Sequence, residues 1–155
     1  MNVIEESNAL QATPLSGSAL GTLARLLESE HLPAADLHET GQYFYRLDRG
    51  DGRSVGYLGL AVFGPDALLR SVIVSPTERG QGNGRRLIAW SVNQAAELGA
   101  ERLYLLTIGA AGFFGKLGFA TIERASAPHA IAQTREFTGL CPASAVLMVR
   151  SVCRP

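Results

Sequence analysis

Cysteine is scarce in this chain, which has two, Cys141 and Cys153. Two thiols do not make a disulfide framework, and the expectation is a cytoplasmic protein with reduced thiols. Neither sign of charge is in excess: 14 basic residues meet 14 acidic ones. That balance argues against a nucleic-acid binder and against a protein held on a membrane surface. No apolar run approaches the length of a transmembrane helix. The N-terminus carries Glu5 and Glu6 and has no signal-peptide core. Internal repeats and low-complexity segments are missing too, which excludes a solenoid. No metal is expected.

What the chain does have is 46% apolar and 18% charged residues over a length of 155. This is an ordered globular composition, and the length suits one domain, residues 1–155, with a ragged start over residues 1–8. A short strand is expected near residues 9–12. Leu20, Leu23, Ala24 and Leu27 recur at helical spacing, so an amphipathic helix is expected over Ser18–Ser29, ended by Leu32-Pro33. Strands over residues 43–47 and 54–63 flank the hairpin turn Gly50-Asp51-Gly52. Gly56 and Gly59 inside the second strand fit a bulge, a close ligand approach or loose packing. Gly64-Pro65-Asp66 then turns the chain into an apolar strand, 68–74. A glycine loop and a helix over 85–98 follow, with Gly99 as the stop. The near-continuous apolar run at 102–106 suits a strand buried on both faces. A short helix at 110–117, a strand at 119–122, a polar helical stretch at 130–137 and a strand at 145–149 complete the chain. The class is α/β (α+β), with a mixed central sheet flanked by helices.

The glycine loop between strand and helix is a ready anion site. Its glycines admit a ligand close to the backbone, and the first helical N–H groups lack intrahelical partners. A P-loop would end Gly-Lys-Ser/Thr, but this loop ends Gly84-Arg85-Arg86. A dinucleotide fingerprint would need glycine where Arg85 stands. What is present is R-x-x-G-x-G, Arg79-Gly80-Gln81-Gly82-Asn83-Gly84, preceded by Val72-Ile73-Val74-Ser75-Pro76. This resembles the acetyl-CoA pyrophosphate loop of the GNAT N-acetyltransferases. A second segment, Phe113-Phe114-Gly115-Lys116-Leu117-Gly118-Phe119, resembles that family's Phe-Tyr-x-Lys-Leu-Gly-Phe. A narrower likeness, to the arsenic-resistance N-acetyltransferases, rests on Leu69-Arg70-Ser71, Leu105-Leu106-Thr107, Phe113-Phe114 and the tail from Glu136-Phe137 through Leu140-Cys141-Pro142 to Ala145.

The resemblance implies direct transfer of an acetyl group from acetyl-CoA, the co-substrate, to the amine of a small molecule, plausibly an amino-bearing organoarsenical. The pyrophosphate would lie over N–H groups of Gln81, Gly82, Asn83, Gly84, Arg85 and Arg86, beside Arg79. The pantetheine arm would pair along Val72, Ile73 and Val74, with the acetyl carbonyl at an N–H near Val72, in the manner of an oxyanion hole. The acceptor would meet Arg70, Ser71, Thr107, Phe113, Phe114 and Cys141. His129 and Arg135 are possible further contacts, or part of a solvated helix. The expected partner is this small amine, and a homodimer is admitted.

Two groups that the family uses are lacking. Where many members carry a glutamate on the central strand, this chain has Leu68 and Arg70; where they carry a tyrosine proton donor, it has Phe114. Asp36, His38 and Glu39 remain as candidate bases, with Glu39 preferred; the alternative is that Asp36 caps a short helix and that His38 and Glu39 sit in solvent. Thr107 is the candidate to orient a water toward the leaving thiolate. The lack of both groups fits a weakly basic, aniline-type acceptor. By strand alternation, Arg70 is expected to share a face with Val72 and Val74 and to bind an anionic group of the acceptor. The alternative is an ion pair with Asp66 or Glu39. Cys141 is either a thiol near the acceptor or a small buried hydrophobe. Other readings are an acetyltransferase for an amino acid or another amine, and a non-catalytic acetyl-CoA-binding module.

Overall fold

The structure is a computed structural model, and it describes residues 10–32, 34–139 and 145–152. Cys141 and Cys153 lie outside these, as do Pro33 and the tail residues 140–144.

The elements run β1 (Gln11–Pro14), α1 (Ser18–Ser29), β2 (Gln42–Asp48), β3 (Ser54–Phe63), β4 (Asp66–Val74), α2 (Asn83–Glu97) and β5 (Arg102–Thr107). Then follow α3 (Ala111–Lys116), β6 (Ala120–Ile122), α4 (His129–Ala132), α5 (Arg135–Gly139) and β7 (Val146–Ser151). The strands form one sheet in the order β1-β2-β3-β4-β5-β7-β6. Every neighbouring pair is antiparallel except β4 and β5, which the α2 crossover joins in parallel. A mixed sheet flanked by helices is the architecture that the sequence pattern predicts. Among the described residues, no helix is long and apolar enough to cross a membrane.

Helices cover both faces. The buried stripe Leu87, Ile88, Ser91 and Ala95 puts α2 on one face, over Leu47, Val55, Leu69, Leu103 and Met148. On the other face, Leu20, Leu23 and Leu27 of α1 pack on Phe44 and Ile73, while Ile131 of α4 packs on Ala61, Leu68 and Leu147. The polar stretch expected as one helix is two short ones. Thr134 breaks it and caps α5, its Oγ accepting from the Phe137 N–H at 3.2 Å.

Two irregularities shape the middle of the sheet. Tyr57 of β3 faces Ile73 and Gly59 faces Arg70, so Leu58 stands against both Ser71 and Val72. Ser71 has φ of 59°, a left-handed conformation inside a strand, and β4 is bulged there. The extra residue resets the alternation. Ala67, Leu69, Val72 and Val74 face α2, whereas Leu68 and Ile73 contribute to the clusters on the other face. Arg70 shares that other face, over the Phe44 ring, and does not lie with Val72 and Val74. Simple alternation misplaces it because Ser71, not a glycine, carries the bulge.

The second irregularity is an opening. β4 and β5 pair only at Asp66–Arg102, Ala67–Leu103 and Leu68–Tyr104. Beyond Leu68, β4 stays with β3 while β5 stays with β7 as far as Thr107. The two parallel strands therefore part, and the backbone from Leu69 to Val74 has an edge that β5 does not take up.

Candidate active site

The glycine loop closes one end of this opening. Gly80 and Gly82 have φ of 78° and 77°, and Gly82 is the N-cap of α2. The Arg86 N–H makes the first helical bond, to the Gly82 carbonyl at 3.2 Å. The amides of Asn83, Gly84 and Arg85 precede it and have no acceptor within the helix. They edge a groove of about 430 Å³ lined by Val74, Arg79, Gly80, Gly82, Asn83, Gly84, Arg85 and Phe113. Donors at a positive helix end, two arginines and little side-chain bulk fit a diphosphate.

A buried carboxylate fastens the loop from below. Glu78, 1% exposed, accepts from Arg49 at 2.5 Å and from the Asn83 amide at 3.2 Å, with Arg53 at 3.7 Å. The Asn83 amide also donates to the Glu78 carbonyl at 2.9 Å, and its Oδ1 accepts from Arg86 at 2.6 Å. The Asn83 side chain therefore faces inward, and only its backbone is offered to a ligand. Arg79 donates to the Val74 carbonyl at 3.1 Å and approaches Glu30 at 3.5 Å, tying loop to strand and to the end of α1. Sequence reading missed Arg49, Arg53 and Glu78. Its only signal was a hairpin arginine pair far from the loop in sequence.

The other end of the opening holds ions. The Arg70 side chain is fully buried. Its Nη1 lies 2.6 Å from Asp36 Oδ2, 2.6 Å from Glu136 Oε1 and 3.1 Å from Gln42 Oε1, while its Nε donates to Ser71 Oγ at 3.0 Å. Neither expected partner is used: Asp66 pairs with Arg102 at 3.1 Å, and Glu39 with Arg135 at 3.8 Å. Asp36 and Glu136 are 3% and 6% exposed. The Glu136 contact is close but poorly directed; among the described residues neither Glu136 oxygen nor Asp36 Oδ1 has a hydrogen-bond partner. Burial raises the Glu136 carboxyl above its ordinary value; Arg70 opposes this, and Asp36 adds to it.

Two cavities flank the ion cluster. One of about 60 Å³ lies between Leu68, Leu69, Leu106, Arg70, Ser71 and Glu136. The other, about 460 Å³, is lined by Asp36, Glu39, Thr40, Gln42, Gln133 and Arg135 among others. Arg70 and Ser71 thus stand together at the opening. Glu39 sits at the exposed rim of the larger cavity, and His38 and His129 are exposed. Thr107 is buried at the end of β5. Phe113 is half exposed and walls the loop groove, and Phe114 stacks edge-on to Phe113 and Phe119. Among the described residues, no group of three His, Cys, Asp or Glu could hold a metal ion. In the sequence, Glu136 itself carries no signal beyond the tail likeness. The signal beside it is Thr134, an N-cap that starts a new helix two residues before it.

A glycine-loop groove beside two parting parallel strands is the arrangement that the acetyl-CoA-loop resemblance implies. The sequence profile of the acetyltransferase (GNAT) family matches residues 17–119, and the chain belongs to that family. No curated protein matches the chain in sequence. Among solved structures, it is similar to N-acetylglutamate synthase from Neisseria gonorrhoeae, complexed with coenzyme A and N-acetyl-glutamate. That match has 23% identity and a TM-score of 0.72, over 94% of this chain and 35% of the synthase. The chain thus spans about a third of the synthase's length. A GNAT-family acetyltransferase from Staphylococcus aureus matches at 17% identity and TM-score 0.69, over 94% of this chain and all of that one. A variant of the spermidine N-acetyltransferase from Vibrio cholerae matches at 13% identity and TM-score 0.67, over 92% of this chain and 94% of that one.

Proposed function

We propose that the chain transfers the acetyl group of acetyl-CoA to the amine of a small molecule bound where β4 and β5 part. An amino-bearing organoarsenical is the first acceptor to test. The parting of the strands beside the glycine-loop groove carries the reading. The amides of Gly82, Asn83, Gly84 and Arg85 bind the pyrophosphate. The free edge of β4 between Val72 and Val74 pairs with the pantetheine amides as an added strand would. When bound, the co-substrate supplies the activated acetyl group. A β4 amide near Val72 faces the acetyl oxygen, and Thr107 orients a water toward the departing sulfur. Held side by side, amine and thioester react with a large proximity advantage.

The arsenical rests on the sequence likeness at Arg70-Ser71 and the tail. Two carboxylates already surround Arg70, so an arsonate gains little from it, and the uncharged trivalent form suits the cluster better. Thiol release from acetyl-CoA, with acetylated products read by mass, tests the reading. The panel holds tri- and pentavalent amino-arsenicals, amino acids and simple amines. Turnover of at least one amine well above acetyl-CoA hydrolysis is expected. Tight acetyl-CoA binding without any product would leave a non-catalytic binding module.

A further inference from the structure

We infer that Glu136 takes the proton from an acceptor amine that arrives as an alkyl ammonium ion, so the opening between β4 and β5 is a site for cationic amines. This rests on the acetyl-transfer reading and narrows its acceptor.

The cluster contains one guanidinium and two carboxylates, all nearly inaccessible to water. Such burial is costly unless charges are balanced. Among the described residues, one negative charge is left over. The charged groups among the described residues that face Glu136 are Arg70 from β4 and Asp36 from the loop after α1. Arg135, next along α5, turns to Glu39 at the rim. A ligand cation, or a proton, would complete the balance.

The position favours the ligand. Glu136 lines the cavity of about 60 Å³ at the level of Ser71, one residue before the β4 edge that the thioester would follow. That volume admits an ammonium head rather than a whole acceptor. Leu68, Leu69 and Leu106 supply apolar walls. Glu136 has no well-directed hydrogen bond to give up among the described residues. Arg70 reaches it at 2.6 Å and acts as a positioning residue.

In the reaction, one ammonium proton passes to a Glu136 oxygen. The nitrogen lone pair forms the new N–C bond as the C–S bond breaks, and that electron pair leaves on sulfur. The nitrogen's next proton goes to the sulfur, giving the coenzyme A thiol. Glu136 then returns its proton to solvent. The carboxylate therefore supplies the base that the central strand lacks, and the acceptor need not be weakly basic.

The test compares an alkyl amine with an aniline of similar size in wild type, Glu136→Gln and Glu136→Asp. An aniline is already neutral and needs no such base. In Glu136→Gln, kcat/KM for the alkyl amine should fall by about 10²–10⁴-fold while the aniline changes by less than about tenfold. The acid limb of the alkyl-amine pH profile should move up toward the amine's own titration, because only amine already neutral can then react, and Glu136→Asp should restore part of the rate. Calorimetry without acetyl-CoA should show the alkyl amine binding wild type more tightly than Glu136→Gln. Unchanged alkyl-amine turnover, or an equal loss for both amines, overturns the inference and leaves acetyl transfer standing. A wild type that binds acetyl-CoA but acetylates no amine of the wider panel overturns both.

Discussion

Arg70 is shared by two carboxylates, and the sharing sets what each can do. Removing one partner of a buried pair strands the other, whereas neutralising the surplus charge relieves it. Glu136 is the surplus charge. Its carboxyl is held above the ordinary 4.5, chiefly by burial, so it binds its proton more tightly in the folded chain than in the unfolded one. Its contribution to stability is complete below about 4.5 and is lost as pH rises through the folded value. Glutamine does not titrate. Thermal melting of Glu136→Gln relative to wild type should therefore improve as pH rises from about 4.5 through the folded value and level off beyond it. A melting difference that stays flat with pH would show that the Glu136 carboxyl is not raised. A single sequence hides such a cluster, because Asp36, Arg70 and Glu136 lie on three separate segments. What the sequence does display is Arg70 as a costly charge in an apolar strand. Its partners were assigned wrongly because no local pattern distinguishes Asp36 from Glu39 or Asp66.

Among the elements, β3 and β4 determine the site. Gly56 and Gly59 read from sequence as a bulge, a close approach or loose packing, and the structure decides for close approach by the protein itself. A Cβ on Gly56 would lie 2.1 Å from the Ile73 carbonyl oxygen, and one on Gly59 would lie 2.6 Å from the Phe44 ring and 3.2 Å from Arg70 Cγ. A side chain can shift, but the backbone of a paired strand cannot without breaking its ladder. Gly59→Ala should cost about 1–3 kcal/mol, as overpacking does, and Gly56→Ala should cost more. Urea unfolding of the two variants checks the order, and a reversed order would mean that β4 yields more easily than the Phe44–Arg70 stack. Regular patterns were legible: α1 and β3 fall on the spans that hydrophobic spacing and turn residues predict. The bulge at Ser71 and the break at Thr134 were not. Each is a single-residue event that packing enforces against the local pattern, and together they set Arg70 and Glu136 face to face.

For the whole molecule, the question is whether the loop and the parting strands bind acetyl-CoA as a unit. A ligand that binds only the folded chain stabilises it by about 2.7 kcal/mol at a hundredfold excess over Kd, so melting should rise with acetyl-CoA concentration. Gly82 tests the cause. Its φ of 77° is strained for any side chain, yet a Cβ there meets no atom within 4 Å. Gly82→Val should therefore lower the melting point of the free protein through strain alone, about 1–2 kcal/mol, while the side chain would stand where the proposed site takes the pyrophosphate. Gly17 is the control. Its φ is 57° and its Cβ site is likewise open, but it caps α1, away from the glycine-loop groove. Gly17→Val should carry a similar strain and keep the full acetyl-CoA shift, whereas Gly82→Val should lose it. If both variants keep the shift, the ligand is held elsewhere than on the amides of the loop. If both lose it, strain rather than contact governs binding.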